Sequence, residues 1–264
     1  MSSAITDASD HLQKVKDFHD ADASQYRQQR YHSDTCEGLA YITRKEIVLT
    51  MADGEPGNVL DIGCGPGILT PDLLRRGHEV YSADLSAEMI EQAKKQAATV
   101  PMSHNAHFVV SDASGICFAG DRMDMVLSIG LMCYVKDHAA VLSEICRVLK
   151  PGGFTILQIN NIRWPAIYRM FVPLYHYLKV IITAKSYKGL DFRFNFSSRQ
   201  RFLKDLTDSR FTILEVEHYD FRIPFLDVLF PNLSVKLGKL MFRNRHLRPC
   251  QWLAHGLVVK ARKV

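Results

Sequence analysis

Val59-Leu-Asp-Ile-Gly-Cys-Gly-Pro-Gly-Ile-Leu-Thr70 decides the fold of this chain. A short apolar run enters a turn with glycine at 63, 65 and 67, and a helix leaves it. Gly63, Gly65 and Gly67 let the backbone pass close to a ligand, and main-chain N–H groups line such a turn. The spacing is GxGxG. The dinucleotide fingerprint is GxGxxG and seats a pyrophosphate on its helix N-terminus. Asp61 stands two residues before the first glycine. A carboxylate there suits a ligand carrying an ammonium group and disfavours a diphosphate. An amino-acid-bearing cofactor is therefore expected, and a nicotinamide oxidoreductase is the rival reading that Asp61 opposes.

Downstream, strand and helix alternate. Strands are expected at 79–84, 107–111, 123–129 and 154–159, with helices at 68–76, 86–98 and 137–149. Such α/β alternation gives a parallel sheet covered on both faces, with ligands outside the carboxyl ends of the strands. Asp84 closes the second strand, where an acid can accept from both hydroxyls of a ribose. Asp112 closes the third, where an adenine amino group can donate to it, and Ser128-Ile129-Gly130 ends the fourth. Two helices precede the sheet. One spans 9–31, with Ser9 as cap and Leu12, Val15, Phe18 and Tyr26 as its apolar stripe; the other spans 39–52.

After residue 160 the alternation lapses. Residues 161–197 are aromatic and basic, a helix is expected over 198–209 and a strand over 211–221. Residues 222–250 read as a second irregular basic insertion before a last strand over 251–260. The expected organisation is a helical cap over 1–55, a ligand-binding core over 56–160, and 161–264 completing the same domain. The apolar stretch 162–184 is broken by Arg163, Arg169, His176 and Lys179. A charge at a bilayer centre costs about 2.5–3.5 kcal/mol, so spanning is not expected.

The 264 residues are 47% hydrophobic and 23% charged, which excludes a disordered chain, a collagen and a small disulfide scaffold. Six cysteines form no CxxC pair, and no convergent carboxylate set suggests a metal. The first twenty residues are polar, with no apolar signal segment, so a cytoplasmic location is expected. The net charge of +5 hides a split: residues 1–160 hold 14 Lys and Arg against 21 Asp and Glu, and residues 161–264 hold 19 against 7. The second part is suited to something anionic or to a membrane surface.

Five segments together, VLDIGCGPGILT (59–70), VYSADLS (80–86), VVSDAS (109–114), MDMVLSIGLMCYVKD (123–137) and LSEICRVLKPGGF (142–154), resemble the class I S-adenosylmethionine-dependent methyltransferases. The likeness is to the type 11, ubiquinone-biosynthesis-like small-molecule group. It implies a Rossmann-like, seven-stranded, mostly parallel sheet with an antiparallel last strand. It also implies a helical cap and two insertions over the active site. The cofactor implied is S-adenosylmethionine, with S-adenosylhomocysteine as product. Position by position, Gly63, Gly65 and Gly67 match contacts to its methionine part, Asp61 the acid near its amino group and Asp84 the ribose acid. Leu85 and Met89 match residues flanking the adenine, Asp112 and Ala113 the pair at its edge, and Ser128 a contact near the sulfonium. Tyr26, Arg30 and Tyr31 fall in the closing helix, and Arg44 is placed to reach the cofactor carboxylate.

Methyl transfer from a sulfonium is an in-line displacement in which alignment and water exclusion do most of the work. A base is needed only for a hydroxyl or protonated amine acceptor, and His is the first suspect. Relatives often carry His after the fourth strand; here Met132-Cys133-Tyr134-Val135 stands there. The catalytic candidates are Tyr134, His176, His218 and His255, and the acceptor side is expected at Tyr134, Asn160, Asn161, Trp164 and Tyr168. Both insertions leave carboxyl ends of strands, so they are expected to roof the site. Residues 236–248 hold five Lys and Arg and no acid among large apolar residues, which suits an anionic headgroup or the inner face of a membrane. The acceptor is thus expected to be small and amphiphilic or anionic. A nucleic-acid (RNA) methyltransferase using the basic C-terminal part is the first alternative, although no DPPY-like tetrapeptide follows strand four. A non-catalytic cofactor-binding subunit is another. Oligomeric state leaves no sequence signal.

Overall fold

The computed structural model describes residues 2–160, Leu174, Asn195, 197–223 and 225–264. Seven strands form one sheet: β1 (Asn58–Ile62), β2 (Glu79–Asp84), β3 (Ala106–Val110), β4 (Met123–Ser128), β5 (Leu149–Asn160), β6 (Phe211–Tyr219) and β7 (Gly256–Lys263). Their order is β3-β2-β1-β4-β5-β7-β6. Strands β1 to β5 pair in parallel, and β7 runs antiparallel to both β5 and β6. The order reverses between β1 and β4, which opens a crevice beyond their carboxyl ends.

Successive side chains of a strand point to opposite faces, and the two cores follow that rule. Leu60, Val126, Leu157 and Val259 pack into one cluster with Phe202 and Leu206, and Val59, Leu127, Ile156 and Val258 into another with Ile47 and Val48. Each fully buried large side chain contributes roughly 1.5–3 kcal/mol, so both faces must be covered. Helices α3 (Cys36–Met51), α4 (Thr70–Arg75) and α5 (Ala87–Ala97), with α6 (His138–Val148) and α7 (Arg199–Asp208), cover them. Their starts are readable locally. Thr35, Ser86, Asp137 and Ser198 each accept from a main-chain N–H in the first turn.

Three expectations need correction. The helix expected over 9–31 is two, α1 (Ser2–Asp22) and α2 (Tyr26–Arg30), because Asp22 ends the first and pairs with Arg30 across the turn at 2.6 Å. The irregular insertion over 222–250 is helical: α8 (Leu226–Leu229), α9 (Pro231–Arg243) and α10 (Arg248–Leu253). Pro231 sits in the first turn of α9, where its missing N–H costs no helix bond. The last strand consequently starts at Gly256, and Gln251 belongs to α10. Apart from Leu174, Asn195 and Ser197, the first insertion lies outside the described residues. No helix among the described residues is long and apolar enough to cross a membrane.

Candidate active site

The turn after β1 is built on three left-handed glycines, with φ of 67° at Gly63, 53° at Gly65 and 71° at Gly67. A Cβ on Gly65 would meet nothing within 4 Å, so this backbone faces open space, whereas one on Gly67 would lie 2.8 Å from Ala93 Cα of α5. The turn lines a cavity of about 240 Å³ at the crevice between β1 and β4. Tyr26, Gly63, Gly65, Asp84, Leu85, Met89, Asp112 and Ala113, eight of the expected cofactor positions, line it together. Ile129, Gly130 and Leu131 after β4 form the opposite wall.

Asp84 is wired into this turn. One of its oxygens accepts from Gly65 N at 2.8 Å and the other from Ser86 N at 2.9 Å. Burial nevertheless pushes its carboxyl above the ordinary range. Asp112 accepts from Ser114 N at 3.0 Å through one oxygen.

Two buried charges lie around the cavity without lining it. Asp61 is 2% exposed and has no cation within ion-pair reach among the described residues. Burial, then the neighbouring Asp84 charge, lifts its carboxyl to about 7. Arg44 is 9% exposed and has no carboxylate partner among the described residues. Its guanidinium lies over the Tyr41 ring at 4.6 Å and donates weakly to Gln158 Oε1 at 3.4 Å. It sits directly behind the cavity wall, since a Cβ on Gly130 would be 3.4 Å from its Nη1. Gln158 in turn donates to Asn160 Oδ1 at 2.9 Å, at the carboxyl end of β5. Ser128 is fully buried beneath the same loop, and its hydroxyl has no hydrogen-bond partner among the described residues.

Other expected positions fall elsewhere. Arg30 is paired with Asp22 and stacked 4.1 Å over the Tyr26 ring, so it braces a cavity residue and does not line the cavity itself. Tyr31 faces a separate open depression beside Pro66 and Arg27. Gly67 packs on α5. His218 is buried on β6 beside Arg199, 3.3 Å from its Nη1, and His255 lies 3.2 Å from Arg222 O; neither lines the cavity. His176, Asn161, Trp164 and Tyr168 lie outside the described residues. The second insertion does not roof the cavity either. Ser234, Val235 and Gly238 of α9 turn inward against α3, and Gly238 meets Leu39.

The cavity is closed from the N-terminal side, where a helical cap is expected, and the sequence reading missed the two histidines that the cap contributes. His11, Leu12, Val15 and His19 present one face of α1 to it, beside Tyr134, Lys136 and Asp137. The signal was present as His11, Val15 and His19 at four-residue intervals. His11 Nε2 lies 2.8 Å from Tyr134 O. The His19 ring stands edge-on to Tyr134 with centroids 4.8 Å apart. Burial depresses the His19 imidazole to about 4 and raises the Tyr134 phenol, so both are neutral near pH 7. Among the described residues no group of His, Cys, Asp and Glu is arranged to hold a metal ion.

This strand order, with a glycine turn at its reversal, Asp84 at the end of β2 and Asp112 just beyond β3, is the fold of solved S-adenosylmethionine-dependent methyltransferases. Residues 60–157 match the methyltransferase domain family of type 11. Over 133 residues it is 30% identical to a tRNA 5-carboxymethoxyuridine methyltransferase from Escherichia coli K12, covering 50% of this chain and 51% of that one. Over 131 residues it is 34% identical to a ubiquinone biosynthesis O-methyltransferase from Brucella ovis, covering 47% and 51%. The chain thus spans about half the length of these relatives. Geranyl diphosphate C-methyltransferase from Streptomyces coelicolor A3(2), solved with Mg2+, geranyl diphosphate and S-adenosylhomocysteine, shares the fold with a TM-score of 0.58. It is 18% identical, over 85% of this chain and 79% of that one.

Proposed function

We infer that the protein transfers the methyl group of S-adenosylmethionine to an oxygen, nitrogen or carbon nucleophile of a small amphiphilic or anionic acceptor. One observation carries the reading. Asp61 and Arg44 are a buried acid, held partly protonated until a cation joins it, and a buried cation, each without an ion partner among the described residues. Isolated buried charges cost several kcal/mol, so they are kept where a ligand brings the complement. The amino-acid end of S-adenosylmethionine is a zwitterion. Asp61 is suited to its ammonium and Arg44 to its carboxylate, while Asp84 is suited to the ribose hydroxyls and the open Asp112 oxygen to the adenine amino group. Leu85 and Met89 offer apolar surface to the base, and Gly65 leaves room for the chain between them.

The sulfonium supplies an already activated methyl group, so the protein's part is alignment and dryness. The α1 face carrying Leu12 and Val15 excludes water. Tyr134 positions the acceptor, His11 is the imidazole in the wall that can take a proton from a hydroxyl acceptor, and His19, held neutral by burial, packs beside Tyr134. Asn160 supports the acceptor side.

Two measurements test this. Titration calorimetry with S-adenosylhomocysteine must show one site, lost on Asp61→Ala. Incubation with methyl-labelled S-adenosylmethionine and fractionated cell extract must label an organic-soluble or small acidic fraction. Label confined to RNA would move the reading to nucleic-acid methylation, and label nowhere would favour a non-catalytic subunit.

A further inference from the structure

The C-terminal helices carry a surface that the methyl-transfer reading does not use. From Leu226 to Val264 the chain has eight Lys and Arg and one acid, Asp227. Some of these cations are internally committed. Arg245 binds Glu217 at 2.7 Å, Lys263 binds Asp121 at 2.7 Å, and Lys260 donates to Met51 O at 2.6 Å. Lys236, Lys239, Arg243 and Arg248 have no ion-pair partner among the described residues.

Large apolar side chains stand among them in water. Leu229, Phe230, Leu233, Leu240, Leu247 and Trp252 are each between 47% and 59% exposed. On α9 the geometry is ordered. Ser234, Val235 and Gly238 face inward, where Cys36 Sγ donates to Ser234 Oγ at 3.1 Å and Gly238 meets Leu39. Leu233, Lys236, Leu240 and Arg243 follow at three- and four-residue steps, which puts them on the opposite face of one helix. The helix is therefore amphipathic twice over: one small-residue face seated on α3, and one apolar face rimmed by free cations.

We propose that the exposed face of α8, α9 and α10 docks on an anionic lipid bilayer, with its leucines, Phe230 and Trp252 entering the headgroup boundary and its four unpaired cations meeting lipid phosphates. A lipid surface satisfies both halves of the face at once. Phosphates of a nucleic acid would pair with the cations and leave the leucines in water. A second copy of the chain would cover the leucines but set four cations against four. Helix α9 seats its inner face on α3, the helix that also carries Arg44. The inference is independent of the methyl-transfer reading, and its test uses neither donor nor acceptor.

The full chain is mixed with vesicles of phosphatidylglycerol and phosphatidylcholine, or of phosphatidylcholine alone, and pelleted. Binding is expected to the anionic vesicles only and to weaken with salt. Each of Lys236→Gln, Lys239→Gln and Arg243→Gln should weaken it about fivefold, the effect of one basic residue near such a surface. Leu240→Asn, at an exposed position, should weaken it at unchanged thermal stability. In a Trp164→Phe chain the emission of Trp252, then the sole tryptophan, should shift to the blue on vesicle addition. No binding to anionic vesicles at low salt overturns the proposal. So does binding that all four variants leave unchanged, tighter binding to an RNA oligonucleotide than to vesicles, or self-association that Leu240→Asn abolishes.

Discussion

Gly65 donates its main-chain N–H to the Asp84 carboxylate at 2.8 Å, which joins the turn after β1 to the end of β2 as one unit. The acid proposed for the ribose thus also holds the glycine turn that lines the cavity. Asp84→Ala leaves Gly65 N and Ser86 N without this acceptor. Hydrogen bonds to a charged group contribute about 1.5–3 kcal/mol, so S-adenosylhomocysteine affinity should fall ten- to hundredfold. Asp84→Asn retains an acceptor oxygen for one of the two N–H groups. It should restore most of the thermal stability and little of the affinity. Calorimetry beside thermal unfolding separates the two roles; if affinity and stability recover in step, Asp84 only holds the turn.

The glycines divide by what lies beside them. Alanine at Gly65 or Gly67 meets the same left-handed backbone, at a cost of about 1–2 kcal/mol. At Gly67 the new methyl also lies 2.8 Å from Ala93 Cα, so α5 has to move. At Gly65 it enters open space on the cavity side. Gly67→Ala should therefore lower the unfolding temperature more than Gly65→Ala, while Gly65→Ala should lose more affinity for S-adenosylhomocysteine relative to its loss of stability. The reverse ordering would place the ligand on the other side of the turn.

Asp61 gives the site a pH dependence of defined sign. Its carboxyl is raised from 3.8 to about 7 in the folded chain. The native state thus holds a proton that the unfolded state has released, and this contribution to stability is lost as pH rises through about 7. His19, His218 and His255 are depressed from 6.5 to about 4 and act oppositely, removing stability as pH falls between those values. Stability alone therefore mixes slopes. Affinity isolates one of them, because an ammonium beside Asp61 favours the ionised acid and expels the proton. S-adenosylhomocysteine binding should tighten from pH 5 to about 7 and then level, by at most about tenfold per pH unit. Asp61→Asn should bind weakly with a flat profile. Proton release measured in buffers of different ionisation enthalpy checks the same point, and an unchanged slope in Asp61→Asn would assign the titration to another group.

The sheet was legible because its signals are local and redundant. VLDIGCGPG couples a strand to a glycine turn, Ser86 and Asp137 announce helices, and Asp84 and Asp112 stand at strand ends where topology makes a crevice. The cap was legible as a helix, but its two imidazoles were not, because His11 and His19 look like surface histidines until α1 is folded against the cavity. His218 and His255 show the converse: their burial is real, but the strand and turn that carry them turn them toward Arg199 and Arg222. The segment over 222–250 looked irregular because its inward positions on α9 are Ser234, Val235 and Gly238, a small-residue face with little hydrophobic contrast. Its leucines point the other way, which inverts the pattern by which helices are usually recognised.

Arg44 makes a sharper prediction than any acid of the site, because its stability and binding effects should have opposite signs. The guanidinium is buried against Tyr41 and Gln158 with no carboxylate partner among the described residues. Replacing an unpaired buried charge by an apolar group of similar length relieves a desolvation cost of several kcal/mol. Arg44→Met should therefore leave the unfolding temperature of the ligand-free protein unchanged or raised, while S-adenosylhomocysteine affinity falls at least tenfold. Loss of affinity alone would not locate the contact, so a ligand deletion is needed as well. An analogue lacking only the amino-acid carboxylate should bind the native chain more weakly than S-adenosylhomocysteine does. Arg44→Met should bind the two alike. A double-mutant cycle over chain and ligand then yields a coupling of about 1.5–3 kcal/mol, the range for a charge-assisted hydrogen bond. A coupling near zero would put the cofactor carboxylate somewhere other than behind Gly130, and leave the buried cation to the aromatic rings around it.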